Sequence, residues 1–270
     1  MPELPEVETI VRELRGSIIG KSIWKVEELR QDTIFYDQVT PTRCLGKIVE
    51  LDRRGKYIIV KTDKGYVVII HLRMTGKLIL NGQKDPITKH TRAILYFKDH
   101  TRILFDDTRT FGTIRIISCD KIGQLFCNLG CEPFSADFNV EHITKLLSKK
   151  KTAVKNFLLD QSYIAGLGNI YVNEILHESR IKPNRLTNTL NKTEIDLLVT
   201  NTRNILREAI KHNGTTISDY RRVDDKKGTF QNFLKIYGKE FCHKGHPVTR
   251  IKSNGRSTFY CEECLKENHN

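Results

Sequence analysis

The chain has 270 residues, enough for one large domain or two ordinary ones, and its 39% of hydrophobic residues excludes a disordered chain. Its 45 Lys and Arg residues outnumber its 32 Asp and Glu residues, which leaves a formal net charge of +13 at pH 7. A surplus of this size favours a polyanionic partner, with nucleic acid ahead of an anionic membrane surface.

The apolar runs and the N-terminal segment both argue against a membrane protein. The longest apolar run, from Tyr66 to Leu72, is far shorter than the ~20 residues that span a bilayer. The segment MPELPEVE is acidic, whereas a signal peptide begins with basic residues, so we expect no export signal. Seven cysteines in a chain of this length argue against a disulfide scaffold and favour a reducing, cytoplasmic location.

The first predicted element is a helix that begins near Pro5. A proline fits the first helical turn because its missing N–H would have no partner there. Val7, Ile10, Val11 and Leu14 follow at i, i+3, i+4 and i+7 spacing. This spacing predicts one buried stripe along the helix.

The residues before this helix are candidates for chemistry. Removal of Met1 would leave Pro2 with a free secondary amine, which can attack an aldehyde-like carbon and form an iminium. Glu3 and Glu6 lie beside it in the sequence. The same pattern fits a simple capping device for the helix, so composition alone leaves both interpretations open.

From about residue 21 to residue 118 the apolar pattern has a period of two. KYIIVKTDKGYVVIIHL predicts two strands around a turn at 63–65, and HTRAILYFKDHTRILFDD predicts another pair around 99–100. Short strands at this spacing predict a β-sandwich or a barrel.

Basic and apolar residues alternate at the ends of these strands. The residues concerned are Lys56, His71, Met74, Arg109 and Phe111. Such a set suits a protein that grips phosphates and inserts apolar groups into a base stack. The alternative is that the apolar members lie in the core and the basic ones are simply solvated.

Beyond about residue 135 the pattern is helical. Apolar spacing predicts helices over 152–159, 170–179 and 193–211, the last with Thr193 and Asp196 as a capping box. The Gly-, Asp- and Lys-rich stretch that follows the last helix has no period.

The glycine turn Gly166-Leu167-Gly168-Asn169 lies between two of these helices. It predicts a helix–two-turn–helix whose second helix could bind a phosphate at its start, although a plain connection has the same pattern. The stretch 214–229 predicts a mobile surface loop.

The C-terminal segment has the ligand spacing of a zinc ribbon. Cys242-x3-His246 is followed, after fourteen residues, by Cys261-x2-Cys264. Two such pairs suit tetrahedral Zn²⁺ in a structural site. His243 competes for the fourth position, and we prefer His246 because a Cys and a His in direct succession rarely bind one ion together.

An Asn-Gly hairpin signal lies between the two ligand pairs, at Ser253-Asn254-Gly255-Arg256. It places Arg256 at an exposed tip, where a phosphate or groove contact is expected. The other cysteines are expected to be buried thiols; they are Cys44, Cys119, Cys127 and Cys131.

The predicted fold class is a multidomain α+β chain. It comprises an N-terminal β-sandwich with flanking helices and a C-terminal helix–two-turn–helix domain with a zinc-ribbon β-hairpin. The natural break near 130–135 gives domain bounds of 1–133 for the sandwich, 134–240 for the helical domain and 241–270 for the zinc hairpin.

Six segments occur in the order typical of one family. They are MPELPEVET at the start, RRGKY at 53–57, HLRMTG at 71–76, DDTRTFG at 106–112, GLGNIYVNE at 166–174 and GRSTFYC at 255–261. Because they extend over the whole chain, the sequence resembles bacterial formamidopyrimidine-DNA glycosylase.

The resemblance implies a DNA repair enzyme that excises oxidised purines, notably 8-oxoguanine and formamidopyrimidines, and then cuts the strand by β- and δ-elimination. Its partner would be double-stranded DNA with oxidised bases or abasic sites. Its cofactor would be one structural Zn²⁺, and a monomer would be sufficient for the reaction.

The resemblance also implies residue roles. Pro2 would be the nucleophile on C1′ and Glu3 the general acid, while Lys56 and Arg256 would assist at the phosphates. The DNA-binding set would be Glu6, His71, Met74, His90, Arg109, Phe111, Lys155 and Asn169. Within that set, Met74, Arg109 and Phe111 would fill the gap left by the flipped nucleotide.

Two further roles follow from the resemblance. Glu174 would be a structural or proton-shuttling residue near Pro2, and the 214–229 loop would close over the extruded base. Two rival functions remain open at this point, namely an endonuclease VIII-like glycosylase for oxidised pyrimidines and a DNA-binding protein without catalysis.

Three features depart from the family pattern. The first zinc ligand pair is Cys-x3-His instead of CxxC, and Thr108 and Thr110 flank Arg109 where a proline and a second basic residue are common. The 214–229 loop carries Arg221-Arg222 with Asp224-Asp225, so it does not predict which lesion is preferred. In addition, Met1, while it is attached, blocks the Pro2 nitrogen.

Overall fold

The computed structural model describes residues 1–37, 39, 44–82, 86–217 and 220–266. They form two compact units. The β unit consists of residues 1–128 and 210–231, and the helical unit consists of residues 129–209 and the chain from 232 onward. Among the described residues, no helix has the length and apolar character needed to cross a membrane.

The β unit contains nine described strands and two described α-helices that lie wholly within it. The helices are α1 (Leu4–Ile18) and α2 (Ile122–Phe126), and the strands are β1 (Ser22–Glu28), β2 (Ile34–Asp37), β3 (Gly46–Arg54), β4 (Tyr57–Thr62), β5 (Tyr66–His71), β6 (Lys77–Gly82), β7 (Thr91–Phe97), β8 (Thr101–Asp106) and β9 (Thr113–Ser118). The strands are ordered β2-β9-β5-β4-β3-β1-β7-β8-β6.

The sheet is divided at the β1–β3 pairing, which joins the strands through only two residue pairs, Ser22 with Lys47 and Ile23 with Gly46. Both halves contribute to one hydrophobic core together with α1. Ile70 belongs to the core from one half and Phe105 from the other. This arrangement confirms the predicted β-sandwich with a flanking helix.

The two predicted hairpins are confirmed with their turns. β4 and β5 pair antiparallel across the Asp63–Gly65 turn, and β7 and β8 pair across the turn that contains His100. Gly65 and His100 both have positive φ angles, as tight turns require. These elements form from local runs of apolar residues rather than from strict alternation, because both faces of β4 and β5 are buried. Ile58 and Ile70 lie in the core that includes α1, whereas Ile59 and Ile69 lie in a second cluster that packs against α2.

Helix α1 buries the predicted stripe and begins one residue earlier than expected, at Leu4, so that Pro5 is its second residue. The expectation of a mobile surface loop over 214–229 is wrong in its placement. Tyr220 and Val223 are buried in the β-unit core, and Arg222 forms an ion pair with Glu13 of α1. Ser218 and Asp219 lie outside the described residues.

The helical unit contains α3 (Val140–Ser148), α4 (Val154–Leu159), α5 (Asn169–Glu178), most of α6 (Lys192–Lys211), β10 (Thr249–Ser253), β11 (Arg256–Tyr260) and α7 (Glu262–Lys266). Helix α6 is capped by Asn191 and Glu194, whose side chains each accept the other residue's N–H at 2.9 and 2.8 Å. The predicted cap of Thr193 and Asp196 is therefore wrong, because the helix begins at Lys192 and its N-cap is Asn191, two residues before Thr193.

The turn between α4 and α5 is held by one side chain. The Gln161 amide donates to the carbonyl oxygens of Leu159 and Leu167 and accepts the Gly166 N–H at 2.9 Å. Gly166 has a φ of +91°, a conformation that glycine adopts without strain. The predicted helix–two-turn–helix is thus confirmed.

The β10–β11 hairpin turns at Asn254 and Gly255, which both have positive φ angles. Such a pair is typical of a type I′ turn, and it leaves Arg256 exposed at the start of β11. The four cysteines predicted to be buried are not: Cys119 and Cys127 are exposed, and Cys44 and Cys131 are half-buried. Apolar neighbours in the sequence are therefore not sufficient to bury these cysteines.

Candidate active site and nucleic-acid interface

The start of α1 holds Pro2 and Glu3 in the interior of the β unit, where both residues are buried. Glu3 is the N-cap, and its N–H donates to Glu6 Oε2 at 2.7 Å in a reciprocal capping box. The box fixes the backbone beside Pro2 and points the positive end of the helix at it.

Glu6 also joins the helix to the following segment of the β unit. Its Oε1 accepts the Thr215 N–H at 2.7 Å, and the side chain is 1% exposed. Gly214 has a φ of +78°, and a Cβ there would lie 2.7 Å from Glu6 Oε1. The predicted lesion-binding carboxylate therefore contacts the loop that was predicted to cover the base.

His71 and Lys56 lie at neighbouring strand ends of the same unit, and both are buried. Burial and the nearby charges of Arg73 and Lys56 lower the pKa of His71 to about 3. His71 Nδ1 accepts the Arg73 N–H at 3.0 Å, so the neutral ring carries its proton on Nε2. His71 is thus built as a neutral hydrogen-bond donor.

Asp107 joins the two turns that carry the exposed apolar residues. The carboxylate, 1% exposed, accepts the Thr75 hydroxyl and the Arg109 N–H on one oxygen and the Gly112 N–H, at 2.7 Å, on the other. A Cβ at Gly112 would meet the Phe105 ring at 2.5 Å, so the turn packs tightly.

The side chains presented by these two turns are exposed. Met74 is 38% exposed and Phe111 is 54% exposed, while the Arg109 guanidinium lies 5.2 Å from the Phe111 ring centre. The alternative in which Met74 and Phe111 belong to the core is therefore wrong. Large apolar side chains held out by a buried carboxylate are available to insert into a base stack.

His90 lines a cavity of about 340 Å³ in the β unit. Asp106, Asp107, Thr75 and Arg221 line the same cavity. His90 is half-exposed, and the Asp107 N–H donates to its carbonyl oxygen at 2.9 Å. The cavity thus joins His90 to the turns that present Met74 and Arg109.

In the helical unit the hairpin is bound to the start of α5. Lys155 Nζ donates to the Ser257 carbonyl at 3.0 Å and to the Thr258 hydroxyl at 2.6 Å, and the Asn169 amide donates to the same carbonyl at 3.0 Å. Lys155 is 1% exposed, and burial beside Arg256 lowers its pKa to about 8. Lys155 therefore positions the hairpin.

Two buried residues of α5 complete this packing. Asn173 Oδ1 accepts the Phe259 N–H at 2.8 Å. Glu174 accepts the N–H groups of residues 235–237 at 2.7 to 3.0 Å. Burial raises the pKa of Glu174, while these three donors lower it. These contacts are structural, as one of the two expected roles requires.

Cys242, His246, Cys261 and Cys264, which we call the knuckle, form a group whose ligand atoms lie within 4.8 Å of one another. Cys242 and Cys264 Sγ are 3.8 Å apart, and His246 Nδ1 is 3.6 Å from Cys264 Sγ. Ligands of one tetrahedral Zn²⁺ at normal bond lengths lie about 3.6–3.8 Å apart. The knuckle therefore fits such an ion, with His246 as the fourth ligand.

The predicted residues thus fall into two sets. The β unit contains Pro2, Glu3, Glu6, Lys56, His71, Met74, His90, Arg109 and Phe111, and the helical unit contains Lys155, Asn169, Arg256 and the knuckle. Sequence reasoning missed Asp107 and Asn173 as positioning residues. Each of the two is a polar residue one or two positions from a selected residue, Arg109 or Glu174. That position does not reveal which hydrogen bonds the side chain makes.

Comparisons with known proteins cover nearly the whole chain. A family model for the formamidopyrimidine-DNA glycosylase N-terminal domain matches residues 1–114, and one for the H2TH domain of the same glycosylase matches residues 129–221. The chain is 38% identical to a formamidopyrimidine-DNA glycosylase from Desulforamulus reducens, over 98% of this chain and 99% of that protein.

Two solved structures from Lactococcus lactis are also similar. One is an Fpg mutant in complex with DNA that contains Fapy-dG, at a TM-score of 0.90, 36% identity and coverage of 97% of this chain and 99% of that chain. The other is Fpg in complex with DNA that contains an abasic site, at a TM-score of 0.89, 36% identity and coverage of 97% and 98%.

Proposed function

This chain belongs to the formamidopyrimidine-DNA glycosylase family, and we propose that it excises oxidised purines from DNA and cuts the strand through a covalent bond to Pro2. It is a glycosylase and abasic-site lyase of DNA repair. The observation that carries the proposal is the capped start of α1, where Pro2, Glu3 and Glu6 are held together in a buried setting.

The reaction begins once Met1 has been removed and the Pro2 nitrogen is free. Its lone pair attacks C1′ of the flipped nucleotide and the glycosidic bond breaks. The base leaves with the electron pair of that bond and takes up the proton that the Pro2 nitrogen loses. A proton from Glu3 to the ring oxygen opens the sugar, which leaves an iminium between Pro2 and C1′.

The iminium then drives strand cleavage. It acidifies the hydrogen on C2′, so loss of that proton expels the 3′ phosphate, and a second elimination expels the 5′ phosphate. The chain supplies the amine, and Glu3, once it has given up its proton, is a carboxylate that can accept the C2′ proton, so the chemistry needs no redox cofactor.

The other assigned residues bind and shape the DNA. Lys56 and Arg256 contribute positive charge at phosphates, and His71 contributes a neutral N–H donor. Met74, Arg109 and Phe111 fill the gap left by the flipped nucleotide, with Arg109 facing the orphaned base. The remaining assigned DNA-binding residues are Glu6, His90, Lys155 and Asn169.

We assign Zn²⁺ to the knuckle because three thiolates and one imidazole are a preferred zinc ligand set. The ion would tie the two ends of the hairpin segment together and so support Arg256. Its role is structural, since four protein ligands leave no open position for substrate. The chain acts as a monomer on double-stranded DNA in the bacterial cytoplasm.

Borohydride trapping tests the nucleophile. A duplex that contains 8-oxoguanine is mixed with the protein and reduced, and peptide mapping should place the covalent adduct on the peptide that starts with Pro2. A chain with an uncleavable N-terminal extension keeps every native residue but blocks the amine, so it should give no adduct. A C-terminally extended chain is the matched control. An adduct elsewhere, or full cutting by Pro2→Gly, contradicts the assignment.

The same assay separates the rival functions. Cutting of thymine-glycol duplexes with none of 8-oxoguanine duplexes would replace oxidised purines by oxidised pyrimidines as the substrate. Tight binding of both without cutting would identify a DNA-binding protein without catalysis. We expect the purine lesions to be cut at the higher rate.

A further inference from the structure

A second group of metal-ligating side chains lies beside the knuckle in the helical unit. His177 and Glu178 are the last two residues of α5, and His243 follows the knuckle residue Cys242. His177 Nε2 and His243 Nδ1 share a hydrogen bond of 3.2 Å, whose proton an ion would displace. A ligand atom from each of the three residues lies within 4.8 Å of the others. We call these three residues the His–Glu cluster.

The chemistry of the His–Glu cluster suits a divalent transition metal. Imidazole nitrogens bind Zn²⁺, Co²⁺ and Ni²⁺ well, and a carboxylate adds negative charge to the ligand set. Two imidazole nitrogens on one tetrahedral Zn²⁺ are about 3.3 Å apart at normal bond lengths, close to the separation found here. The end of α5 also carries the negative end of the helix dipole, which favours a cation.

The backbone holds the His–Glu cluster in place before any ion binds. His177 is 8% exposed at the end of a regular helix. The His243 N–H donates to the Lys235 carbonyl at 3.2 Å, and the Cys242 N–H donates to the His246 carbonyl at 2.9 Å. Little conformational freedom is therefore lost when a metal joins the two imidazoles.

We propose that His177, Glu178 and His243 form a second metal site, which takes one divalent transition-metal ion and links the knuckle to the end of α5. The site is separate from the four knuckle ligands and from every residue assigned to catalysis. It does not depend on the function proposed above, since it concerns only how the helical unit is held together.

One cation already competes for this site. Lys235 Nζ forms an ion pair with Glu178 Oε2 at 2.8 Å, so a metal must displace the ammonium group to gain the carboxylate. The Lys235 side chain is 41% exposed, so it can move into solvent. Because of this competition we expect a lower metal affinity at this site than at the knuckle. Removal of the ammonium group should raise the affinity, which provides a test.

The experiment starts from the full chain with its knuckle loaded with zinc. Co²⁺ is added and followed by titration calorimetry and by absorption spectroscopy. One additional equivalent should bind and give the d–d bands of Co²⁺ with nitrogen and oxygen ligands. It should lack the sulfur-to-cobalt charge-transfer band, which would reveal exchange into the knuckle instead.

Four variants test the assignment of the ligands. His243→Asn, at an exposed position, should abolish the additional equivalent, and Glu178→Gln should weaken it at least about tenfold. Lys235→Met should strengthen it, because the competing ammonium group is gone. His142→Asn removes an imidazole from α3 outside the His–Glu cluster and is the matched control, with unchanged binding.

The zinc content of the knuckle, measured after dialysis, should stay at one ion per chain in all four variants. Failure of the zinc-loaded wild-type chain to bind Co²⁺ would overturn the proposal. Equal binding by wild type and His243→Asn would overturn it as well, because the additional ion would then lie elsewhere. Neither outcome bears on borohydride trapping at Pro2, so the two proposals fail separately.

Discussion

The carboxylate of Asp107 accepts three hydrogen bonds and is almost completely shielded from solvent. One oxygen accepts the Arg109 N–H and the other accepts the Gly112 N–H. The positions of Arg109 and Phe111 therefore depend on both oxygens. An amide at this position keeps the shape but has one acceptor oxygen. One backbone N–H would then lose its partner, at a cost of about 1–3 kcal/mol.

We therefore expect Asp107→Asn to slow cutting and to reduce the preference for one base opposite the lesion, while borohydride trapping at Pro2 persists. Single-turnover rates on duplexes with C or A opposite the lesion measure both effects. Asp106→Asn is the matched control, because the Asp106 carboxylate accepts the hydroxyl groups of Thr88 and Thr91. Those hydroxyls can rotate to suit an amide. Equal behaviour of the two variants would argue against the role of Asp107.

His71 carries a prediction about pH. Its pKa is about 3 in the folded chain, against an unperturbed 6.5. Below pH 6.5 this histidine is protonated in the unfolded chain but stays neutral in the folded chain. The free energy of unfolding therefore decreases as the pH falls from 6.5 toward 3. Between pH 7 and pH 5 the expected loss is about 2 kcal/mol.

His71→Gln should remove this acid-sensitive part of the stability. Urea unfolding at pH 7 and pH 5 measures it as a smaller decrease in the unfolding free energy for the variant than for the wild type. His142→Gln on α3 should retain the full decrease. If His71→Gln and the wild type lose stability equally, the imidazole is not held neutral as described.

At the scale of elements, local periodicity carries most of the fold. The stripe of α1 and the apolar runs of β4, β5, β7 and β8 are set within a few residues, so the sequence reveals them. Burial of Tyr220 and Val223 depends on α1 two hundred residues earlier in the chain, and no local pattern reports it. The exposure of Cys119 and Cys127 has the same origin, because neighbours in space decide it.

The site divides along the same line. Residues with distinctive chemistry, such as Pro2 and the knuckle cysteines, could be selected from spacing and residue type. Asp107 and Asn173 could not, since each acts through backbone N–H groups that any residue type supplies. Resemblance to a family added roles for individual residues but did not indicate which polar neighbours position them.

The β10–β11 hairpin gives a prediction at this scale. Asn173→Ala removes the acceptor for the Phe259 N–H, which leaves a buried donor unpaired and loosens the hairpin by about 1–3 kcal/mol. Because Asn173 is fully buried and is not assigned to a phosphate, the variant should bind lesion DNA more weakly with the same salt dependence. A thermal unfolding scan should show the loss of stability directly.

The control for Asn173→Ala is a substitution at the exposed tip of the same hairpin. Arg256→Ala leaves the hairpin bound to α5 but removes one positive charge, so stability should be kept and the salt dependence reduced. If Asn173→Ala lowers the salt slope as much as Arg256→Ala does, then α5 contacts the DNA itself at that point.

For the whole molecule, the formal charge of +13 has to be divided between solvated residues and residues that contact phosphate. Composition cannot make that division, but burial and partners can. The Lys155 ammonium group is bound to the hairpin, and the lowered pKa of His71 keeps that side chain neutral. We therefore expect neither residue to neutralise a phosphate and release a counterion from the DNA. The positive charges that the proposed function assigns to direct contact with DNA are those of Lys56, Arg109 and Arg256.

The salt dependence of binding measures this division. The logarithm of the affinity for lesion DNA should fall linearly with the logarithm of salt concentration, by about 0.9 for each phosphate neutralised. Arg256→Ala should reduce the slope by about 1, because one contact is lost. Lys149→Ala, in an exposed lysine run outside the assigned set, should leave both slope and affinity unchanged. A flat response in the wild type, or equal slopes for the wild type and Arg256→Ala, would contradict the phosphate assignments, because the positive charge would then be spread over the surface without specific contacts.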